Sequence, residues 1–251
     1  MTTTTTTIMD KKFKLTECTK EYKGKVLHRI QALIDIPMHN IDAGGFGGWV
    51  EKEKNLSQVG QCWVGNEAMV YGDARIDNDA VVFNDARVYG NARVFGNAYI
   101  FGMAEVYGHA AVSGYAEISG NAKVYGYAMI YGDAKVSGRA KVYDNAQIFD
   151  RAMISDNVKI YGNAAVCNSA EVRGNAKVKS RYDYTVFQNT WSSGRDFTYT
   201  RSNKMWKVGC FYGTGEELIK KAYKDSELSG KCYEMHVNLI KQLEEAKNEN
   251  E

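Results

Sequence analysis

Aliphatic residues recur at every sixth position from Val64 to Val178, passing through Val70, Ile76, Val82, Val88, Val94 and Ile100, and all twenty of these positions hold Val or Ile. The phrase around each is nearly fixed, as in Arg87-Val88-Tyr89-Gly90-Asn91-Ala92 followed by Arg93-Val94-Phe95-Gly96-Asn97-Ala98. Two residues beyond each aliphatic stands Gly, Asn, Asp or, at Ser180, Ser. Four beyond it stands Ala, from Ala68 to Ala176, with Val158 the exception. An unbroken short period predicts a parallel β-helix, in which the aliphatic side chain points inward and stacks on its equivalents in neighbouring coils. Ala fits the inner side of a corner, and Gly, Asn and Asp tolerate the positive φ that a corner demands.

A second period sets the coil. Tyr71, Tyr89, Tyr107, Tyr125, Tyr143 and Tyr161, each just after an aliphatic position, are spaced by eighteen residues. Three hexapeptides therefore make one coil, and the cross-section is a triangle with three unequal faces. Six to seven coils at strand spacing give a prism roughly 30 Å long. Face one carries the tyrosines beside Met69, Arg87, Glu105, Lys123, Lys141, Lys159 and Lys177. Face two carries Phe95, Met129, Tyr131 and Phe149 and has few charges in its middle and end. Face three is apolar early, at Val81, Phe83, Tyr99 and Phe101, and polar later.

The flanks lack the frame. Residues 1–10 contain a Thr run that has nothing to bury and is expected to be a disordered tail. Residues 11–62 are expected to form an N-terminal cap, because a parallel coil leaves a raw strand edge at each end. Phe13–Thr16 and Val26–Ile34 read as a hairpin turning near Lys23-Gly24, and Trp49 and Trp63 are expected to plug the first coil. The stretch Ala43-Gly44-Gly45-Phe46-Gly47-Gly48-Trp49-Val50 implies closely packed backbone. It lacks the Gly-Lys-Ser/Thr ending and the clear following helix of a phosphate-cradling loop. Residues 63–180 form the repeat. In 181–251, strands are expected near 182–188, 197–200 and 205–208, closing the last coil. Thr214-Gly215-Glu216-Glu217 fits a capping box opening a helix, and a second amphipathic stretch spans 233–246.

Composition narrows the partners. A formal charge of +2 across 251 residues is too mild to imply nucleic acid. Five scattered cysteines without a Cys-x-x-Cys argue against a zinc site or disulfide framework, and no apolar run reaches membrane-span length. With no signal-peptide core at the N-terminus, a cytoplasmic location is expected. Charge is sorted along the axis: residues 61–120 hold three basic against seven acidic side chains, a balance of −4, and residues 121–180 hold nine against five, a balance of +4.

The phrase Val88…Ala92…Val94 resembles the hexapeptide-repeat superfamily, whose members form left-handed parallel β-helices. The segments Gly44-Gly45-Phe46-Gly47-Gly48-Trp49-Val50 and Gly209-Cys210-Phe211-Tyr212-Gly213-Thr214-Gly215 are similar to flanks of prophage and bacteriophage members of uncharacterised function. The resemblance implies the left hand and a homotrimer joined through side faces, with face two (Phe95, Met129, Tyr131, Phe149) the leading contact surface. It also raises acyl transfer from a CoA donor, with a His as general base. Only His109 of the four histidines lies in the repeat, at a corner, and no inserted loop makes a pocket beside it.

The expectation is a non-enzymatic β-helical scaffold or binding protein that needs no cofactor. Its binding strip is Tyr89, Tyr107, Tyr125, Tyr143 and Tyr161 with Lys123, Lys141 and Lys159, and it would take a small anionic, nucleotide-like ligand or a host protein. For the tyrosines themselves, stacking that stabilises the sheet is the first reading and ligand binding the sharper one, and an acyl-CoA transferase acting through His109 is the alternative function.

Overall fold

The computed structural model describes residues 11–248; the expected disordered tail, 1–10, lies outside them. The chain is mainly β. Its body is a parallel β-solenoid of about seven coils, with an antiparallel hairpin at its start and an antiparallel sheet followed by two helices at its end.

The hexapeptide phrase yields twenty two-residue strands, β4 (Trp63–Val64) to β23 (Lys177–Val178). Each pairs in parallel with the strand one coil away, as Arg87↔Glu105 and Val88↔Val106 show, so every residue faces its counterpart eighteen positions on. The inward Val and Ile and the corner Ala are buried throughout, from Val64 to Val178, in one continuous core. Full burial of each aliphatic contributes roughly 1.5–3 kcal/mol, which is why no position departs from Val or Ile. The ladder continues through the turns: Arg87, Tyr89 and Asn91 donate N–H bonds of 2.9, 3.0 and 2.7 Å to the carbonyls of Ala104, Val106 and Gly108. Corners lie in the left-handed region even where glycine is absent, with φ of 59°, 56° and 63° at Asp144, Asp150 and Asp156. Each of these aspartates accepts the N–H of the next corner in its column, Gly162, Asn168 and Gly174, which compensates the backbone cost.

The N-terminal hairpin forms as expected but is longer, with β1 (Phe13–Tyr22) and β2 (Lys25–Ala32) turning at Lys23-Gly24. The glycine-rich stretch is a strand, β3 (Phe46–Val50), which pairs antiparallel with β2 and parallel with Met69–Val70. It is thus an extra rung of face one. A Cβ on Gly48 would come within 2.6 Å of the Ala68 carbonyl, so close packing explains this glycine. The plug differs from expectation. Trp63 enters the core with Phe13, Ile30, Ile36 and Leu56, but Trp49 lies outside the coil, against Leu27, Met69 and Tyr71. Trp49 precedes the inward Val50 in its strand, and alternation sends it outward.

The C-terminal sheet has one strand more than expected: β24 (Tyr184–Gln188), β25 (Asp196–Thr200), β26 (Met205–Val208) and β27 (Phe211–Gly213). It closes the last coil with side-chain hydroxyls. Thr198 and Ser202 accept the N–H groups of Glu171 and Lys177, at 3.0 and 2.7 Å. The capping box at Thr214 and Glu217 opens α1 (Gly215–Asp225), and α2 (Glu227–Asn248) starts earlier than expected. The helices pack on the sheet through Tyr199, Trp206, Leu218, Tyr233, Val237 and Ile240, a second core separate from the solenoid's. Among the described residues no helix is long and apolar enough to cross a membrane.

Candidate functional site

Face one brings the expected strip together. Because each tyrosine occupies the same seat in its coil, the rings stack in parallel: Tyr89–Tyr107 at 4.8 Å, Tyr107–Tyr125 at 4.9 Å, Tyr125–Tyr143 at 5.0 Å and Tyr143–Tyr161 at 5.3 Å between centroids. The seventh seat, after Val178, holds Lys179.

The strip divides into two unlike halves. At its start the N-terminal hairpin roofs the ladder: Tyr22 meets Tyr71 edge-on at 5.7 Å, and the Lys23 ammonium lies over the rings of Tyr22 and Tyr89. Tyr71 is buried there, and burial pushes its hydroxyl up to about 12. Tyr89 rises further, again chiefly by burial, and its hydroxyl donates to Glu105 at 3.2 Å. Glu105 also takes Arg87 at 3.4 Å and Lys123 at 3.3 Å, so both of these cations have a carboxylate partner within the face. These residues bind one another and the hairpin.

Beyond Lys123 this pairing stops. Lys123, Lys141, Lys159 and Lys177 are direct neighbours across adjoining parallel strands. Among the described residues, Lys141, Lys159 and Lys177 have no carboxylate within ion-pair distance, and all three are exposed. Strand spacing places these ammonium-bearing chains about 4.8 Å apart at the backbone, where like charges repel. Beside them Tyr125, Tyr143 and Tyr161 are half-buried and offer ring edges and hydroxyls; burial raises the hydroxyls of Tyr125 and Tyr143, so both are neutral donors at neutral pH. The surface is flat, long and cationic, and suits an extended anionic partner better than an enclosed small molecule.

Residues 86–100 match the YdcK beta solenoid repeat. The matched segment lies within this face and its neighbours and contains Val88, Val94 and Ile100, three of the inward positions. It is what the chain is similar to over that segment, and it concerns the repeat rather than a site. No curated protein matches the chain.

His109 is exposed, and its ring stacks on Tyr127 at 4.9 Å, in the same corner column one coil on. Among the described residues no carboxylate orients it, and it lines neither of the clefts that open where the C-terminal sheet leans on the solenoid. Those clefts, about 950 and 640 Å³, share Arg151, Ser169, Gln188 and Asp196. In the smaller one Glu171 is held by Lys207 at 2.9 Å and Arg173 at 3.6 Å. A general base needs a pocket and an orienting partner, and among the described residues His109 has neither. Among the described residues no group of three or more His, Cys, Asp or Glu is placed to hold a metal ion.

The expected contact residues do share face two. Tyr131 and Phe149 stack at 5.0 Å, Arg93 lies over the Phe95 ring, and Met129 is 40 % exposed. What sequence reasoning missed is the role of Glu105, which ends the ion-paired half of face one. Its signal was present, as the only acidic residue in the column Arg87, Glu105, Lys123, Lys141, Lys159, Lys177.

Proposed function

We propose that this protein is a non-enzymatic β-solenoid scaffold whose exposed Lys141–Lys159–Lys177 column, with Tyr125, Tyr143 and Tyr161, docks an acidic segment of another protein. The observation that carries this reading is the row of three lysines held in register without a carboxylate. Stacked like charges cost stability, and an anionic partner would offset that cost. The likeness of the flanks to phage proteins supports a host protein as the partner. Fluorescence anisotropy with a labelled poly-glutamate peptide tests it. The Lys141→Glu/Lys159→Glu variant should bind on the order of tenfold more weakly, a loss of about 1.4 kcal/mol. A control reversal at Lys14, on the N-terminal hairpin, should change little. Equal affinity in wild type and variant would remove the strip from the binding surface. Tighter capture of single-stranded DNA of equal charge would replace the acidic protein with nucleic acid.

Face two supports assembly as a homotrimer. The hairpin covers the start of face one and the C-terminal sheet contacts face three through Glu171, whereas the sheet's hydrogen bonds to face two, among the described residues, are at its last rung, where Tyr184 reaches Ala165 and Cys167. Its apolar row Phe95, Met129, Tyr131 and Phe149 matches the composition of subunit contacts, poor in charge and rich in aromatics and Met. Native mass spectrometry should find three chains, and Met129→Lys with Phe149→Lys should give one. A monomeric wild type would rule the trimer out.

A further inference from the structure

At the capped N-terminal end, Lys12 is buried to 2 % exposure, and among the described residues its Nζ has no carboxylate in hydrogen-bond contact. Its Nζ donates to the carbonyls of Gly60 at 3.2 Å and Cys62 at 2.9 Å, and it lies 3.2 Å from the Cys62 sulfur. Cys62 is fully buried, and its other polar neighbours are the carbonyls of Ser57, Val59 and Ile76, at 3.7, 4.0 and 3.5 Å from the sulfur. Two fixed acceptors therefore aim the Lys12 amine at the Cys62 thiol. Burial pushes the Cys62 thiol up, against the pull of the neighbouring Lys12. The layer above them is thin, because Val59, Gly60 and Gln61 are exposed, so a small oxidant need cross only one loop.

The geometry points to a modification site: a covalent Sγ–O–Nζ bridge between Cys62 and Lys12, formed by hydrogen peroxide. The ammonium first gives a proton to solvent. The freed amine, 3.2 Å away, takes the Cys62 proton; the thiolate attacks one peroxide, takes an oxygen from it and, with the proton returned, releases the remainder as water, leaving a sulfenic oxygen in the gap to Nζ. A second peroxide removes two further electrons as the O–N bond closes. The sulfenic O–H and one N–H break, and their hydrogens leave in water. In sum, one thiol, one neutral amine and two peroxides give one bridge and three waters. The competing products, sulfinate and sulfonate, are anions that this dry site disfavours, whereas the bridge is neutral and abolishes a buried basic group. It would tie the start of β1 to the first coil and so staple the end cap.

The full chain, treated with dilute hydrogen peroxide, should gain the mass of one oxygen less two hydrogens. Dithiothreitol should reverse the gain, and a proteolytic map should show the Lys12 and Cys62 peptides joined. Lys12→Arg should yield only whole-oxygen additions at Cys62. Wild-type protein that shows whole-oxygen additions alone, or an unmodified Cys62, would overturn the proposal, and so would the same mass gain in Lys12→Arg. If that variant fails to fold, the wild-type peptide map decides alone.

Discussion

Tyr71 and Tyr143 occupy the same seat of the same phrase four coils apart, and their surroundings share only the stack. Tyr71 lies under the hairpin, and its hydroxyl is buried with no hydrogen-bond partner among the described residues. Leaving such a hydroxyl unsatisfied costs about 1–3 kcal/mol, while its ring still packs. Tyr71→Phe keeps the ring and removes the hydroxyl, so it should raise the unfolding free energy by about 1 kcal/mol at neutral pH. The pH dependence has a definite sign. The hydroxyl is pushed up to about 12 in the fold, above its ordinary value near 10, so the fold favours the protonated form. Its contribution is complete below pH 10 and is lost as pH rises through about 12. The thermal midpoint should therefore fall over that window less steeply in Tyr71→Phe than in wild type. Parallel curves would show that Tyr71 does not govern the alkaline limit.

The corner is the element that sets the coil, because each corner backbone rests on the next at contact distance. At Gly114, φ is +68°, and a Cβ would sit 2.9 Å from both the N and O of Gly132. Gly194 has almost the same φ, +67°, but nothing within 4 Å. Substitution by Ala costs about 1–2 kcal/mol at either position through the left-handed backbone, and only Gly114 adds the collision. Gly114→Ala should thus lower the denaturation midpoint distinctly more than Gly194→Ala; equal shifts would mean that the corner column can spread. This also explains what the sequence disclosed. Inward Val and Ile, corner Gly or Asn, and inner Ala each report their own surroundings, so the coil, its eighteen-residue turn and its three faces were legible residue by residue. The rung at Phe46–Val50 was not, because it carries no hexapeptide frame and becomes a rung only by pairing with Met69–Val70. The outward position of Trp49 follows from that pairing. Division of the strip was hidden for a similar reason: the roof over Tyr71 comes from Tyr22 and Lys23, in a hairpin whose docking side no local pattern gives. Lys141 and Lys159 were readable as neighbours, but their lack of a carboxylate depends on what every other element leaves uncovered.

For the whole molecule, the solenoid has two ends and each is closed by different chemistry. The N-terminal end is plugged by Phe13, Ile30, Ile36, Leu56 and Trp63. The C-terminal end is closed by packing of Tyr184 and Val186 on the core and by Thr198 and Ser202 on the N–H groups of Glu171 and Lys177. Truncation after Ser180 would strip the second closure alone and leave strand edges able to pair with another chain. The intact N-terminal plug blocks stacking of one molecule's tail on another's head, so the truncated chains should meet tail to tail. Those tails carry the cationic half of the prism, nine basic against five acidic residues over 121–180. Like charges then oppose the contact, and salt screens them. Association of the truncated protein, followed by light scattering, should therefore increase with protein concentration and strengthen as salt is raised from about 0.05 to 0.5 M. Head-to-tail stacking would join the −4 half to the +4 half and weaken with salt. Dissociation on adding salt would thus show that the N-terminal plug opens, and that the axial separation of charge, rather than the bare edge, drives assembly.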